Sequence, residues 1–199
     1  MHHIHRTKAI VLKNISTREV DSQLILFTKE FGKVIAIAQG TRKLNSKMRQ
    51  SLQDFSLINV ALISGRSIWR IVNVSFSNNF FNDIKNNNLK QVIIKVLSLI
   101  ERFVVDEREE HELFDFLENA INFAFDNQEN FDKNLNSAFE IFLTAKALDI
   151  LGYFSDKDFS EYFKIDLSIE LLKKISNQSE IYQKNIIKEI NRSIRDSHL

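Results

Sequence analysis

Side chains able to do covalent or acid–base chemistry are scarce in this 199-residue sequence, and those present do not converge. There is no Cys, which removes a thiol nucleophile, a disulfide framework and a thiolate zinc site together. His111 stands alone in EREEHELF, with no second His at the spacing of a helical metal site. His2, His3 and His5 could hold a metal weakly, but they open a segment patterned like a strand. The acidic run Asp106, Glu107, Glu109, Glu110 and Glu112 offers the oxygen ligands a hard cation takes. At the start of a helix the same run more simply complements the macrodipole. Four widely spaced Gly cannot build a phosphate-cradling loop. No metal, no cofactor and no enzyme is expected from this inventory.

Cations are the exception. GTRKLNSKMRQ (40–50) holds Arg42, Lys43, Lys47 and Arg49 and no acid. Arg6, Lys8, Lys13, Arg18, Lys33, Arg66 and Arg70 flank it within the first 80 residues. Lys and Arg at such density neutralise phosphates and release counterions, which makes binding strong and salt-sensitive. Residues 1–80 carry 12 Lys and Arg against 4 Asp and Glu, whereas residues 81–199 carry 15 against 22. The net charge of +1 hides that split. Segregation of this size points to a polyanionic partner for the first half. Trp69, beside Arg70, is the aromatic best placed to stack on a base, burial in the core being the alternative. An RNA-binding barrel, or an adaptor whose positive half meets an acidic protein, would use the same charge.

The elements that must position these cations change character near residue 80. IHRTKAIVLKNI (4–15), SQLILFTKEFG (22–32), KVIAIAQG (33–40), DFSLINVALISG (54–65) and SIWRIVNVSF (67–76) are β-branched and aromatic runs bounded by Gly, Asn and Ser. Five strands in about 75 residues, with one long loop after the third, suit a closed OB-type barrel better than a sandwich. Beyond residue 80 the period becomes helical: 88–105, 109–125 and 136–154 carry apolar stripes, and Gly152 is placed as a C-cap. Shorter helices are expected at 158–164, 167–176 and 179–195. The chain thus reads as α+β: a basic five-stranded OB-type β-barrel domain over 1–80, then an acidic α-helical bundle domain over 81–199. The longest apolar run, VIIKVLSLI (92–100), is too short to span a bilayer, and MHHIHRTKAIVL has no signal-peptide core. A cytoplasmic protein without membrane contact is expected.

The order of these segments resembles the bacterial recombination mediator family RecO. Thr7, Ala9, Ile10, Val11 and Leu12 match the family's opening strand, and Thr28 and Gly32 match its T-x-x-x-G strand end. Ala38, Gly40, Arg42 and Lys43 match A-x-G-x-R-[KR]; Leu52, Gln53 and Phe55 match L-Q-x-F; Gly65, Arg66 and Arg70 match G-R-x-x-x-R. ELFDFLENAI and FEIFLTAKALDILGY are similar to the family's helical domain. Many members insert a four-Cys zinc motif after LGY; here FSDKDFSEYF follows with no Cys, so no structural zinc is implied. The resemblance implies a non-enzymatic protein of DNA repair and homologous recombination. Such a protein binds single- and double-stranded DNA, anneals complementary strands, and helps RecR load recombinase on coated DNA. The barrel cations Arg6, Lys8, Arg18, Lys33, Arg42, Lys43, Lys47, Arg49, Arg66 and Arg70 would bind DNA. The C-terminal tail of single-stranded-DNA-binding protein would dock on the helical domain, in an apolar pocket flanked by Lys146, Lys173, Lys174, Arg192 and Arg195.

Overall fold

Strand β1 (Ile4–Ser16) is long because it serves two neighbours. Its Ile4–Ile10 stretch pairs antiparallel with β4 (Leu57–Ile63), and Ala9–Ser16 pairs antiparallel with β2 (Ser22–Thr28). A bulge between Val11 and Lys13 bends the strand where it changes partner, the usual device for curving a strand around a barrel. β2 turns into β3 (Gly32–Ala38), which pairs with it antiparallel along its length. β5 (Trp69–Asn78) pairs antiparallel with β4. It meets β3 in parallel through Ala36↔Trp69 and Ile37↔Arg70. The order β1-β2-β3-β5-β4 closes, giving the five-stranded OB-type barrel that the sequence predicts. The computed structural model describes residues 3–17, 21–41, 48–65, 68–78, 83–104 and 107–196.

Alternation decides which side chains fill the barrel. Ala9 and Val11, Leu24 and Leu26, Val34 and Ala36, Ile58, Val60 and Leu62 point inward from successive strands and are buried. Each fully buried Val, Leu or Ile among them stabilises by about 1.5–3 kcal/mol. Arg6 and Lys8, which precede Ala9 on β1 and have the opposite parity, are exposed.

By contacts the chain forms two compact units, Met1–Asp83 with Val104–Asp115 and Ile84–Phe103 with Phe116–Leu199. In the first, segment 107–115 lies along the β2–β3 hairpin. The Glu107 amide donates to the Lys33 carbonyl at 3.0 Å, Lys29 pairs with Asp115 at 2.6 Å, and the rings of Phe27 and Phe114 are 5.7 Å apart. Gly32, with φ of +62°, lets the backbone of Arg108 come close: a Cβ there would lie 2.0 Å from the Arg108 carbonyl oxygen.

The second unit is helical: α1 (Asn87–Phe103), α2 (His111–Asp126) from Phe116 on, α3 (Lys133–Ile150), α4 (Lys157–Ser160), α5 (Ile169–Ser176) and α6 (Glu180–Asp196). Short 3-10 turns follow α2 and α4. Helix α3 is buried around most of its circumference, from Leu135 and Phe139 to Phe142 and Leu148, as befits the centre of a bundle. It starts where the Asp132 carboxylate accepts the Leu135 amide at 2.8 Å. It stops at Gly152, whose φ of +79° lets Tyr153 donate back to the Leu148 carbonyl. No described helix is long and apolar enough to cross a membrane.

Candidate nucleic-acid interface

Counted by compact unit, the charge split largely disappears. The barrel unit holds 13 Lys and Arg against 11 Asp and Glu, because the acidic segment 104–115 folds with it. The sequence placed those acids with the helices, since nothing local shows that Asp115 pairs with Lys29 and Glu107 with Trp69. A positive interface must therefore be sought in local patches rather than in the sign of a whole domain.

Local patches are favoured because several of the described acids already have partners. Glu107 accepts the Trp69 indole N–H at 2.9 Å, Glu110 lies 3.3 Å from Arg108, and Glu109 lies 3.4 Å from His111. Asp21 accepts the Gly40 amide, Asp54 accepts the Asn14 amide, and Glu30 accepts the Thr7 hydroxyl. By contrast Arg6, Lys13, Arg49 and Arg70 are exposed and pair with no acid among the described residues. Among the described residues of the barrel unit, these four are exposed cations without an acidic partner.

Two concavities on the barrel unit gather them. One, of about 320 Å³, lies over the outer face of β1, β4 and β5 and is lined by Arg6, Lys8, Asn59, Asn73, Ser75 and Glu30 among others. Strand register explains the set: Lys8 stands opposite Asn59 and Asn59 opposite Ser75, while Arg6 stands opposite Ala61 and Ala61 opposite Asn73. Residues directly opposite share a face, so two polar rows cross three strands. The other, of about 270 Å³, lies at the far end of β1, where Asn14, Ser16 and Ser22 meet Arg49 and Gln53.

The remaining expected DNA contacts scatter. Lys33 is half-buried at the start of β3, and Arg70 is exposed on β5 opposite Ile63. Arg18, Arg42, Lys43, Lys47 and Arg66 lie outside the described residues. Trp69 resolves toward burial: it is 7% exposed, packs against Phe31 and His5 at 5.1 and 5.5 Å, and has its N–H held by Glu107. It offers no open face for a base. Asn59, Asn73 and Ser75 were not signalled by composition, because only cross-strand register brings them beside Arg6 and Lys8.

In the helical unit an apolar groove of about 330 Å³ runs between α1, α3 and α6, lined by Leu99, Ile141, Ile187, Ile190 and Ile194 with Lys95 at its rim. The Lys95 ammonium bonds Glu140 at 2.9 Å. None of the five expected partner-binding cations lines it. Lys146 pairs with Asp149 at 3.8 Å and sits over the Phe163 ring. Lys173 is exposed, and Lys174 lies over Tyr162. Arg192 bonds Glu189 at 2.8 Å, and Arg195 donates to the Asn191 carbonyl.

Comparison with known proteins agrees with the barrel. Residues 1–80 match the family model described as Recombination protein O N terminal. Curated relatives named DNA repair protein RecO include one from Alkaliphilus metalliredigens, 30% identical over 112 residues that cover 56% of this chain and 46% of the relative. One from Caldanaerobacter subterraneus is 28% identical over 154 residues, covering 74% of this chain and 58% of the relative. One from Clostridium novyi is 39% identical over 77 residues, 39% of this chain and 30% of the relative. The chain spans about half the length of the first two of these relatives. Over its first 80 residues the chain is thus similar to the recombination protein O N-terminal family.

Proposed function

We propose that the protein acts in DNA repair and homologous recombination by binding rather than by catalysis. Its barrel holds the phosphate backbones of single- and double-stranded DNA, and by screening their mutual repulsion it promotes annealing of complementary strands. The observation that carries this reading is the family match of residues 1–80, on a barrel whose Arg6, Lys13, Arg49 and Arg70 are exposed and unpaired by acids among the described residues. The helical unit serves partners: RecR, and the acidic C-terminal tail of single-stranded-DNA-binding protein. The groove beside the Lys95–Glu140 pair suits the apolar residues of such a tail. Lys146, Lys173, Lys174, Arg192 and Arg195 then add to the attraction from outside it.

The direct test reverses charge at Arg42, Lys43, Lys47 and Arg49 together. Single-strand affinity should fall by at least about tenfold at moderate salt, with less dependence on salt concentration. A folded variant that binds like the parent would remove this loop from the interface. Absence of DNA binding by the parent protein would refute the function.

A further inference from the structure

We infer that the outer face of the barrel around β3 docks an amphipathic helix of a partner protein. Arg70 receives a carboxylate of that helix, and Ile25, Ile35, Ile37 and Ile63 receive its apolar side chains. The inference goes beyond the proposed DNA binding and does not depend on it.

Strand register assembles the face. Ile25 on β2 stands opposite Ile35 on β3. Two residues further along β3, Ile37 stands opposite Arg70 on β5, and Arg70 stands opposite Ile63 on β4. Side chains two apart on a strand share a face, and directly opposite ones have Cβ atoms about 4.5–5.5 Å apart. These residues therefore form one continuous surface that crosses from β2 to β4. Ile35 is 38% exposed, Arg70 is exposed, and Ile25, Ile37 and Ile63 are half-buried. Ile15, exposed near the end of β1, continues the surface diagonally from Ile25. Exposed positions elsewhere on the strands hold Arg6, Lys8, Asn59 and Asn73, so isoleucine sets this face apart. A contiguous apolar surface of this kind marks an interaction site, which singly scattered isoleucines would not.

Arg70 selects the partner. Of the four exposed barrel cations without an acidic partner, it is the one flanked by isoleucine on both neighbouring strands. An Arg ringed by apolar side chains that exclude water is the arrangement of a binding hot spot, and it calls for a carboxylate. A helix laid across the strands supplies one at a suitable spacing, because a helical turn rises about 5.4 Å and strands lie about 4.8 Å apart. Its apolar residues then meet β2 and β3, and an Asp or Glu one turn further on meets Arg70. A second copy of this chain fits less well. In an isologous contact the face would meet itself, bringing another Arg70 and no acid. A nucleic-acid backbone fits less well too, since isoleucine returns no hydrogen bond for the hydration its phosphates would lose.

The test uses two labelled synthetic amphipathic helices, identical in their leucine face but carrying Glu or Lys beside it. Binding to the full chain is read by fluorescence anisotropy, with folding checked by circular dichroism. The Glu helix should bind at least about tenfold tighter than the Lys helix. Arg70→Glu should invert that preference, an effect that damage to the fold cannot imitate. Ile35→Ser should weaken the Glu helix about fivefold and change single-strand DNA affinity less than about twofold. Ile165→Ser, at an exposed position in the helical unit, should change neither. Equal binding of the two helices, binding of neither, or a preference that survives Arg70→Glu would overturn the proposal and leave DNA binding by the barrel intact. So would an Ile35→Ser variant that loses DNA as strongly as helix, which would assign the face to DNA. A parent dimer in sedimentation that Ile35→Ser dissolves would assign it to a second copy and overturn the proposal as well.

Discussion

Gly32 and Trp69 show how single residues tie the acidic segment to the barrel. At Gly32 the backbone runs at φ +62°, and the carbonyl oxygen of Arg108 lies 2.0 Å from where a Cβ would be. Gly32→Ala combines a left-handed conformation unfavourable for Ala with a backbone clash, and is expected to cost about 2–4 kcal/mol, read as a lower thermal midpoint. An unchanged midpoint would mean that segment 107–115 does not pack there. Trp69, the sole tryptophan, donates its indole N–H to Glu107 from a buried position. Glu107→Ala leaves that donor without a partner and should cost about 1–3 kcal/mol in denaturant titration, whereas Glu107→Gln keeps an acceptor and should cost less than half as much. Equal losses for the two variants would argue that the bond is unimportant. The sequence left Trp69 open between stacking and burial for a physical reason. Beside Arg70 on an alternating strand, one of the two must face inward, and only the register with β3 and β4 says which.

At the level of elements the strands and helices were legible because local signals agree. Period-two runs end at Gly32 and Gly40, helical stripes run through 88–105 and 136–154, and Gly152 takes the positive φ of a helix end. Caps follow the same local logic: Asp132, Asp156 and Ser168 each accept an amide three residues on. Asp132→Ala is expected to destabilise the helical unit by about 1 kcal/mol, while Asp132→Asn should cost little; a melt that ranks the two otherwise would contradict the capping role. What stayed hidden was non-local. The bulge that lets β1 change partners between Val11 and Lys13 leaves no mark in composition. Segment 107–115 carries the acids of a helix start, yet its hydrogen bonds go to Lys33 and Trp69, far away in sequence. The cleft of Arg6, Lys8, Asn59, Asn73 and Ser75 was half legible. Its cations stood out as charges, but its amides became visible only when three strands were set in register.

For the whole molecule the consequence is electrostatic. A sequence with a basic first half and an acidic second half folds into a barrel unit whose own charges nearly balance, so on the proposed function long-range attraction to DNA would be modest and affinity would depend on local contacts. Binding to single strands should then fall linearly on a log–log plot against salt, with a slope of about −0.7 per phosphate neutralised. Arg6→Ala and Arg49→Ala, at opposite ends of β1, should each reduce the slope, and together they should reduce it additively. A slope that neither variant alters would place the contacts elsewhere. The measurement that tests the central claim most directly is annealing of complementary strands coated with the cognate single-stranded-DNA-binding protein, with and without this chain, across a salt series. Acceleration at low salt that fades as salt rises is the predicted result. A folded chain that leaves the annealing rate unchanged at every salt concentration would contradict the account.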